Sequence, residues 1–153
     1  MLLRAEHRGF TLLELLVTIA IVGILASIGI NHFKAFKERA AVAQVASNLK
    51  NFGTAFIAYS LAEGDYPPDS HGPPPAEMNS YLSLAVWNDP TPLGGNYNWE
   101  GPDSYPYAGI SLFGVTADVD VLESLDAALD DGNLGVGRFR QTPNGRYTYI
   151  LEE

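Results

Sequence analysis

The fold of this chain is decided by residues 10–30, which read FTLLELLVTIAIVGILASIGI. The stretch is apolar throughout, apart from the carboxylate of Glu14 and three small hydroxyl side chains. At 1.5 Å per residue a helix of this length extends about 31 Å, which matches the hydrocarbon thickness of a bilayer. A lone acid is unfavourable in lipid, so it is usually retained because it finds a partner. We therefore predict a membrane-length helix in which Glu14 has a functional role.

A secretory signal peptide is the main alternative for this segment. Such a signal also has a basic start, here Arg4 and Arg8, but it is cleaved after its apolar core at small residues. Ser27 and Gly29 provide that spacing and would make Asn31 the first mature residue. The apolar stretch is longer than the usual core of about 7 to 15 residues and contains an acid, which favours the membrane helix.

The composition argues against several functional classes. The 153 residues include 18 acidic and 9 basic side chains, and no basic patch interleaved with aromatic residues occurs, so we expect no nucleic-acid partner. The chain has no cysteine, which excludes disulfides, thiolate metal sites and cysteine nucleophiles. The sequence contains no nucleophile motif, phosphate-binding glycine loop or paired-histidine zinc motif. We predict neither an enzyme nor a bound cofactor.

The helical pattern continues beyond the apolar run to about Ala62. Its second half carries an apolar stripe with residues three and four positions apart. The stripe consists of Val42, Val45, Leu49, Phe52, Phe56 and Tyr59. Fewer than three heptads and a high aromatic content favour cover by the chain's own sheet over a coiled coil. Gly64 and Pro67 predict the helix end, because glycine accepts a left-handed backbone and proline cannot continue the helix.

Short elements predicted after the helix complete an α+β fold. The region from Pro67 to Pro106 is predicted to be an ordered loop with a short helix that starts at Pro75. We predict four strands and one further helix. The strands are residues 96–100, 107–113, 137–141 and 146–151, and the helix is residues 120–129. The predicted architecture is a long N-terminal helix, membrane-spanning in its first half and amphipathic in its second, packed on a small antiparallel β-sheet.

The last two strands are predicted to form a hairpin. Asn144 and Gly145 favour a tight turn between them. Alternation at Tyr147, Tyr149 and Leu151 predicts one buried face of the last strand, packed against the helix stripe.

Residues 8–17 read RGFTLLELLV and resemble the processing and assembly signature of the type IV pilin and type II secretion pseudopilin superfamily. Residues 64–67, Gly-Asp-Tyr-Pro, resemble a motif of the major, G-type pseudopilin. The resemblance implies a pilin-like fold, cleavage by prepilin peptidase between Gly9 and Phe10, and methylation of the new Phe10 amine. It also implies that Glu14 neutralises the amino terminus of a neighbouring subunit during assembly. Pairing of Glu14 with its own amine, or with the positive helix start, stays open.

The resemblance further implies four segments. Residues 1–9 are expected to be a leader peptide, 10–31 a transmembrane and polymerisation helix, 32–62 the amphipathic half of the helix, and 63–153 a globular head. Basic residues flank the span on both sides, so charge alone does not set its orientation. The family implies a single-pass inner-membrane protein with a cytoplasmic N-terminus and a periplasmic head, assembled as a periplasmic filament.

The implied function is that of a structural subunit of a type II secretion pseudopilus that supports protein export. The implied partners are prepilin peptidase, identical subunits, minor pseudopilins, the inner-membrane secretion machinery and the lipid bilayer. One alternative is a type IV pilin for adhesion, motility or DNA uptake. Another is a membrane-anchored periplasmic enzyme or binding module.

Related major pseudopilins bind calcium near their C-terminus, where this chain has an acidic patch. The patch consists of Asp118, Asp120, Asp126, Asp130, Asp131 and Asn133. Calcium prefers six to eight oxygen ligands, but residues 130–133 lack the full twelve-residue ligand series and its closing glutamate. The pattern also fits a helix C-terminus followed by a turn. We therefore predict no resident metal, with calcium as the alternative.

A group of aromatic residues offers a second candidate site, a face for sugar or peptide. The group consists of Tyr66, Tyr97, Trp99, Tyr105 and Tyr107. Such residues more often pack in the core, and we expect packing here.

Overall fold

The computed structural model describes residues 10–153, with the exception of the side chain of Asn31. The predicted leader and Gly9 therefore lie outside the described residues. The described residues divide into two compact units, one that ends at residue 37 and one that spans residues 38–153.

Helix α1 spans Leu12–Glu63, which confirms the single long helix predicted from the sequence. Its apolar N-terminal part is exposed and is long and apolar enough to cross a membrane. The helix ends where the chain reaches Gly64, whose φ of +91° is left-handed. The Gly64 N–H donates to the carbonyl of Ser60 at 2.8 Å and satisfies one of the last helical acceptors.

The unit formed by residues 38–153 contains a four-stranded antiparallel sheet, so the α+β prediction is confirmed. The strands are β1 (Asn96–Glu100), β2 (Ala108–Phe113), β3 (Phe139–Gln141) and β4 (Tyr147–Glu152). Their order in the sheet is β1-β2-β4-β3, with Trp99 opposite Ile110 and Ile110 opposite Tyr149. Helix α3 (Val119–Leu129) connects β2 to β3.

The main core lies between the apolar stripe of α1 and one face of this sheet. Phe56 stacks on Trp99 with ring centroids 3.8 Å apart, and Phe52 contacts Tyr97 edge to face at 5.0 Å. The helix approaches the sheet closely at Gly53, where a Cβ atom would lie 2.9 Å from Cδ2 of Leu151. Five of the six stripe residues are buried and Tyr59 is half-buried, which confirms that the chain's own sheet covers the stripe.

The Pro-rich region is ordered by two tryptophan side chains. The Trp99 indole N–H donates to the carbonyl of Pro67 at 3.0 Å, and the Trp87 indole N–H donates to that of Gly72 at 3.2 Å. This confirms the prediction of an ordered loop. The single helix predicted from Pro75 is wrong, because the structure has a 3₁₀ helix, Ala76–Ser80, followed separately by α2, Leu84–Asn88.

The prediction of one buried face on β4 is only half right. Tyr149 and Leu151 lie against α1 at Gly53, as expected, but they are half-buried. Thr148 and Ile150, on the opposite face, are more deeply buried, with exposed fractions of 0% and 3%. Both faces of β4 are therefore covered, since side chains of the loops and the hairpin turn close over the face away from α1.

The predicted tight turn between β3 and β4 is present at Thr142–Gly145. The Gly145 N–H donates to the carbonyl of Thr142, and the Thr142 N–H donates to that of Arg146. Only Gly145 takes a positive φ, +82°. Asn144 instead contributes its side chain, whose Oδ1 accepts from the Arg146 N–H at 3.0 Å.

Candidate functional site

The first turn of α1 holds Glu14 in a reciprocal hydrogen-bonding arrangement with Thr11. The backbone N–H and the hydroxyl of Thr11 donate to Oε2 of Glu14 at 2.9 and 2.8 Å. In return, the Glu14 N–H donates to the hydroxyl oxygen of Thr11 at 3.2 Å. This is a capping box, in which the residue before the helix and the third helical residue satisfy each other's free N–H groups.

The capping box fixes where the Glu14 carboxylate lies. Both bonds from Thr11 use Oε2, and the side chain is exposed. The carboxylate is therefore tied to the helix start and still presents Oε1 outward. Sequence reasoning singled out Glu14 but missed Thr11, although the spacing of Thr11 and Glu14 is the recognisable signal of such a cap. Phe10, the other described residue of the predicted processing site, directly precedes this cap and is 77% exposed.

Comparison with known proteins identifies this N-terminal segment. Residues 4–30 match the family model described as the prokaryotic N-terminal methylation motif. The chain is 34% identical over 96 residues to a type II secretion system core protein G of Escherichia coli, a match that covers 63% of this chain and 61% of that protein. It is 30% identical over 112 residues to a protein of the same name from Klebsiella michiganensis, covering 67% of this chain and 79% of that protein.

The chain belongs to the type II secretion system core protein G family. Proteins of this pilin and pseudopilin group are structural subunits, not enzymes. The chain is also 47% identical over 50 residues to the type IV major pilin protein PilA of Myxococcus xanthus, covering 33% of this chain and 23% of that protein. No solved structure matches the chain.

In this core protein G relative, an acidic cluster lies where α3 ends. Asp126, Asp130 and Asp131 each place an oxygen atom within 4.8 Å of the others. Asp126 is fully buried, and neither of its carboxylate oxygens has a hydrogen-bond partner. Asp118 and Asp120, which the sequence placed in the same patch, lie at the start of α3 and are not part of this group.

Backbone geometry holds the other two carboxylates of the cluster. The Arg138 N–H donates to Oδ2 of Asp130, and the Asn133 N–H donates to Oδ1 of Asp131 at 2.9 Å. Gly137 makes room for Asp130, because a Cβ atom at this position would clash with Oδ2 of Asp130. Asn133 thus supports the cluster through its backbone.

The electrostatics of the cluster are unfavourable without a cation. Burial, and next the charges of Asp131 and Asp130, raise the pKa of Asp126. The N–H groups of Gly132 and Asn133 act in the opposite direction but do not reach hydrogen-bond geometry. An unpaired buried carboxylate is costly, and oxygen-only clusters suit calcium. The residues present therefore fit the calcium ion that the family resemblance implies.

The predicted aromatic ligand face does not form as one surface. Tyr97 and Trp99 are buried against the stripe of α1, with exposed fractions of 2% and 0%. Tyr66, Tyr105 and Tyr107 instead line an open cavity, where Tyr105 and Tyr107 stack on each other at 5.7 Å. The expectation of core packing is therefore confirmed for Tyr97 and Trp99.

A buried carboxylate that sequence reasoning missed lies on the sheet face opposite α1. Glu100 is fully buried and accepts four hydrogen bonds. The donors are Tyr107 (3.0 Å), Thr148 (3.0 Å), Asn144 (2.7 Å) and Arg146 (3.0 Å). Burial, together with the neighbouring charge of Glu100, raises the pKa of Tyr107 to about 12. These bonds fasten the β3–β4 hairpin to the end of β1. A glutamate at the end of a predicted strand carries no sequence signal for such a role.

Proposed function

We propose that this chain is a structural subunit of a type II secretion pseudopilus. In this proposal prepilin peptidase cuts between Gly9 and Phe10, removes the leader of residues 1–9 and methylates the Phe10 amine. Residues 10–31 then store the subunit in the inner membrane, with the N-terminus cytoplasmic and the head, residues 63–153, periplasmic. Residues 32–62 link the two as the amphipathic half of α1. The match of residues 4–30 to the methylation motif carries the proposal.

The capping box suggests how Glu14 acts during assembly. After cleavage the amine of Phe10 is a cation at the edge of the apolar phase, where an acid of an adjacent subunit can neutralise it. Thr11 holds Oε2 of Glu14, which leaves Oε1 directed outward for that contact. Burying the two opposite charges together offsets part of the penalty that each carries alone in lipid. Entry into the filament is thereby coupled to processing, because an uncut chain lacks the cation.

A pseudopilus is favoured over a type IV pilus by the extent of the matches. The core protein G of Klebsiella michiganensis matches over 112 residues, more than twice the length of the Myxococcus xanthus pilin match. A match of 112 residues exceeds the 52 residues of α1, so it includes part of the head. The proposed partners are identical subunits, minor pseudopilins and the inner-membrane secretion machinery.

The proposal is tested by mass spectrometry of the mature N-terminus in a host that has the processing enzyme. We expect the chain to begin at Phe10 and to carry one additional methyl group. A chain that still begins at Met1, or one that begins at Asn31, would contradict the proposal. Electron microscopy of cell surfaces separates the two filament types, because a pseudopilus at native expression stays in the periplasm.

We also propose that Asp126, Asp130 and Asp131 hold a calcium ion. The orphaned carboxylate of Asp126 supports this assignment. The two positive charges of the ion would offset most of the negative charge of the three acids, and the ion would join the end of α3 to the segment that enters β3. We expect millimolar calcium to raise the Tm of the full chain in detergent, read from Trp fluorescence, and a chelator to reverse the rise.

Two variants separate a specific site from general charge screening. Asp126→Asn is expected to abolish the calcium-dependent rise in Tm, whereas Asp120→Asn, at the start of the same helix, is expected to keep it. A 100-fold excess of calcium over its Kd corresponds to about 2.7 kcal/mol of stabilisation. An unchanged Tm of the unaltered chain at millimolar calcium would refute the site.

A further inference from the structure

An open groove runs along the part of the 38–153 unit where α1 ends. It comprises two cavities, of about 390 and 290 Å³, that share Asp65, Tyr66 and Pro102. Tyr105 and Tyr107, stacked at 5.7 Å, line the smaller cavity, and further prolines line both. Proline and aromatic side chains lose little conformational entropy on binding, so this surface is already organised to receive a partner. We call it the acidic groove.

The rim of the acidic groove carries only negative charge among its lining residues. The four carboxylates are Asp65, Asp103, Glu152 and Glu153. Glu153 is already paired with Arg140 at 2.7 Å. Asp103 accepts the N–H of Asp69 at 2.7 Å and is thereby held in place without losing its charge. Aromatic rings below a rim of acids favour a ligand that combines an apolar surface with a cation.

The same chain presents such a surface on α1, beyond the apolar run. Phe33, Phe36 and Lys37 are spaced three and four residues apart, so they share one face of the helix. Phe33 and Phe36 are 63% and 69% exposed, and Nζ of Lys37 lies 5.9 Å above the Phe33 ring. We call these three residues the basic aromatic face. In a membrane such side chains lie at the interface, where rings and lysine stems are favoured.

Leaving the membrane removes that favourable environment. A subunit extracted into a filament exposes two phenylalanine rings to water unless protein covers them, and each ring carries a large apolar area. The charge of Lys37 disfavours a purely apolar or a basic protein surface as the cover and favours an acidic one. The described residues offer these matching properties, aromatic rings and unpaired acids, in the acidic groove.

We propose that the acidic groove of one subunit binds the basic aromatic face of a second copy in the filament. In this contact Lys37 reaches Asp103 and Asp65 while Phe33 and Phe36 pack against Tyr66, Tyr105 and the prolines. The inference rests on the proposed function, because it requires subunits that have left the membrane. It names a specific contact between copies that holds the filament outside the bilayer.

The absence of native cysteine allows a direct test by cross-linking. The full chain with Lys37→Cys and Asp103→Cys, assembled in its secretion-competent host, is expected to give a ladder of covalent multimers under mild oxidation. A ladder requires different positions on successive copies, so each single-cysteine variant should stop at dimers. Lys37→Cys combined with Asp120→Cys is the matched control, since Asp120 is an exposed acid outside the groove.

A charge exchange tests the same contact without cysteine. Lys37→Glu is expected to lower the yield of filaments sheared from overexpressing cells about tenfold, which corresponds to about 1.4 kcal/mol per contact. Adding Asp103→Lys should restore the yield to within about twofold of the unaltered chain, whereas Asp120→Lys should not.

The outcomes separate this inference from the proposed function. The inference is wrong if the variant with cysteines at Lys37 and Asp103 forms filaments but gives no ladder, or a ladder no stronger than the Asp120 control. The pseudopilus proposal would then stay intact. If Lys37→Glu lowers the amount of chain in the membrane fraction instead of the filament yield, lipid headgroups are the partner and the inference is wrong. An unaltered chain that is processed but never forms filaments refutes both.

Discussion

Glu14 illustrates how one residue can serve a helix and an assembly at once. Its Oε2 caps α1 through Thr11, and its carboxylate is the acid that we propose neutralises a neighbouring amine. The cap is compatible with assembly, because it holds the carboxylate in a single orientation at the helix start. Replacing Glu14 is therefore expected to leave the head folded but to stop assembly.

For Glu14→Ala we expect normal cleavage after Gly9 and loss of filaments. The peptidase acts on the bond after Gly9, whereas assembly requires the acid. The measurements are mass spectrometry of the membrane-bound chain and quantification of filaments sheared from overexpressing cells. Thr18→Ala is the control, because it removes a hydroxyl that bonds only to the carbonyl of Leu15 in the same segment. Filaments of normal abundance from Glu14→Ala would show that the acid has no part in assembly.

Glu100 is a single residue on which the stability of the 38–153 unit depends. Its four donors come from three separate places in the sequence, and Arg146 is the charged one, at 3.0 Å. Because Arg146 keeps some contact with water, we expect Glu100→Gln to lower the free energy of unfolding by about 2 kcal/mol, less than for a fully buried pair. Urea unfolding followed by Trp fluorescence measures this loss. Glu77→Gln, at an exposed position, should unfold like the unaltered chain; an equal effect of both variants would refute a special role for Glu100.

At the scale of elements, the close approach of α1 to the sheet depends on Gly53. A side chain at this position meets Cδ2 of Leu151 at 2.9 Å and the ring of Tyr149 at 3.3 Å. A large residue there has to push the helix away from β4, although glycine itself is a poor helix former. Packing, not helix propensity, therefore decides this position.

Gly53→Leu is expected to lower the free energy of unfolding by about 2 kcal/mol through overpacking. The measurement is again urea unfolding of the full chain in detergent. Asn51→Leu adds the same side chain on the exposed side of α1 and should be close to neutral. If Gly53→Leu proves as stable as Asn51→Leu, the sheet adjusts to the larger side chain and the close approach at Gly53 does not contribute to stability.

Elements with a regular hydrophobic period were predictable from the sequence, and those set by tertiary contacts were not. The stripe from Val42 to Phe56 follows the helical period and is buried as predicted, and Leu122 and Leu125 of α3 are buried as well. The helix predicted from Pro75 is two short helices in the structure, and each of them buries one large side chain, Met78 or Trp87, in the core. Trp87 is in addition anchored to the carbonyl of Gly72. No local pattern encodes that anchor.

The candidate sites divide in the same way. Glu14 stands out because it is an acid within an apolar run, which is a feature of sequence alone. The grouping of Asp126 with Asp130 and Asp131 follows from the end of α3, but the isolation of the Asp126 carboxylate depends on the surrounding fold. Glu100 had no signal, because its donors Tyr107, Asn144, Arg146 and Thr148 lie up to 48 residues away.

At the scale of the whole molecule, we propose that residues 10–30 are the polymerisation surface as well as the membrane anchor. A simple anchor needs only length and apolarity, whereas a surface that packs against its copies depends on the shape of each side chain. The two roles therefore respond differently to replacement of the segment.

Replacing residues 15–30 with an unrelated apolar sequence of equal length is expected to keep membrane insertion and cleavage but abolish filaments. Residues 1–14 stay unchanged, so the processing site and Glu14 are retained. Membrane fractionation and filament yield are the two measurements. Ile19→Val serves as a control that should still assemble; normal filaments from the full replacement would mean that the segment acts only as a tether.

The position of β4 in the sheet has a consequence for biogenesis. This strand comes last in the chain, yet it lies between β2 and β3 and supplies Thr148 to the buried Glu100, as the preceding turn supplies Arg146. Until the turn and β4 are made, β2 has an unpaired edge and Glu100 has only one of its four donors, Tyr107. The sheet is therefore completed only when residues 147–152 are available, and until then its open edge is accessible to proteases and chaperones.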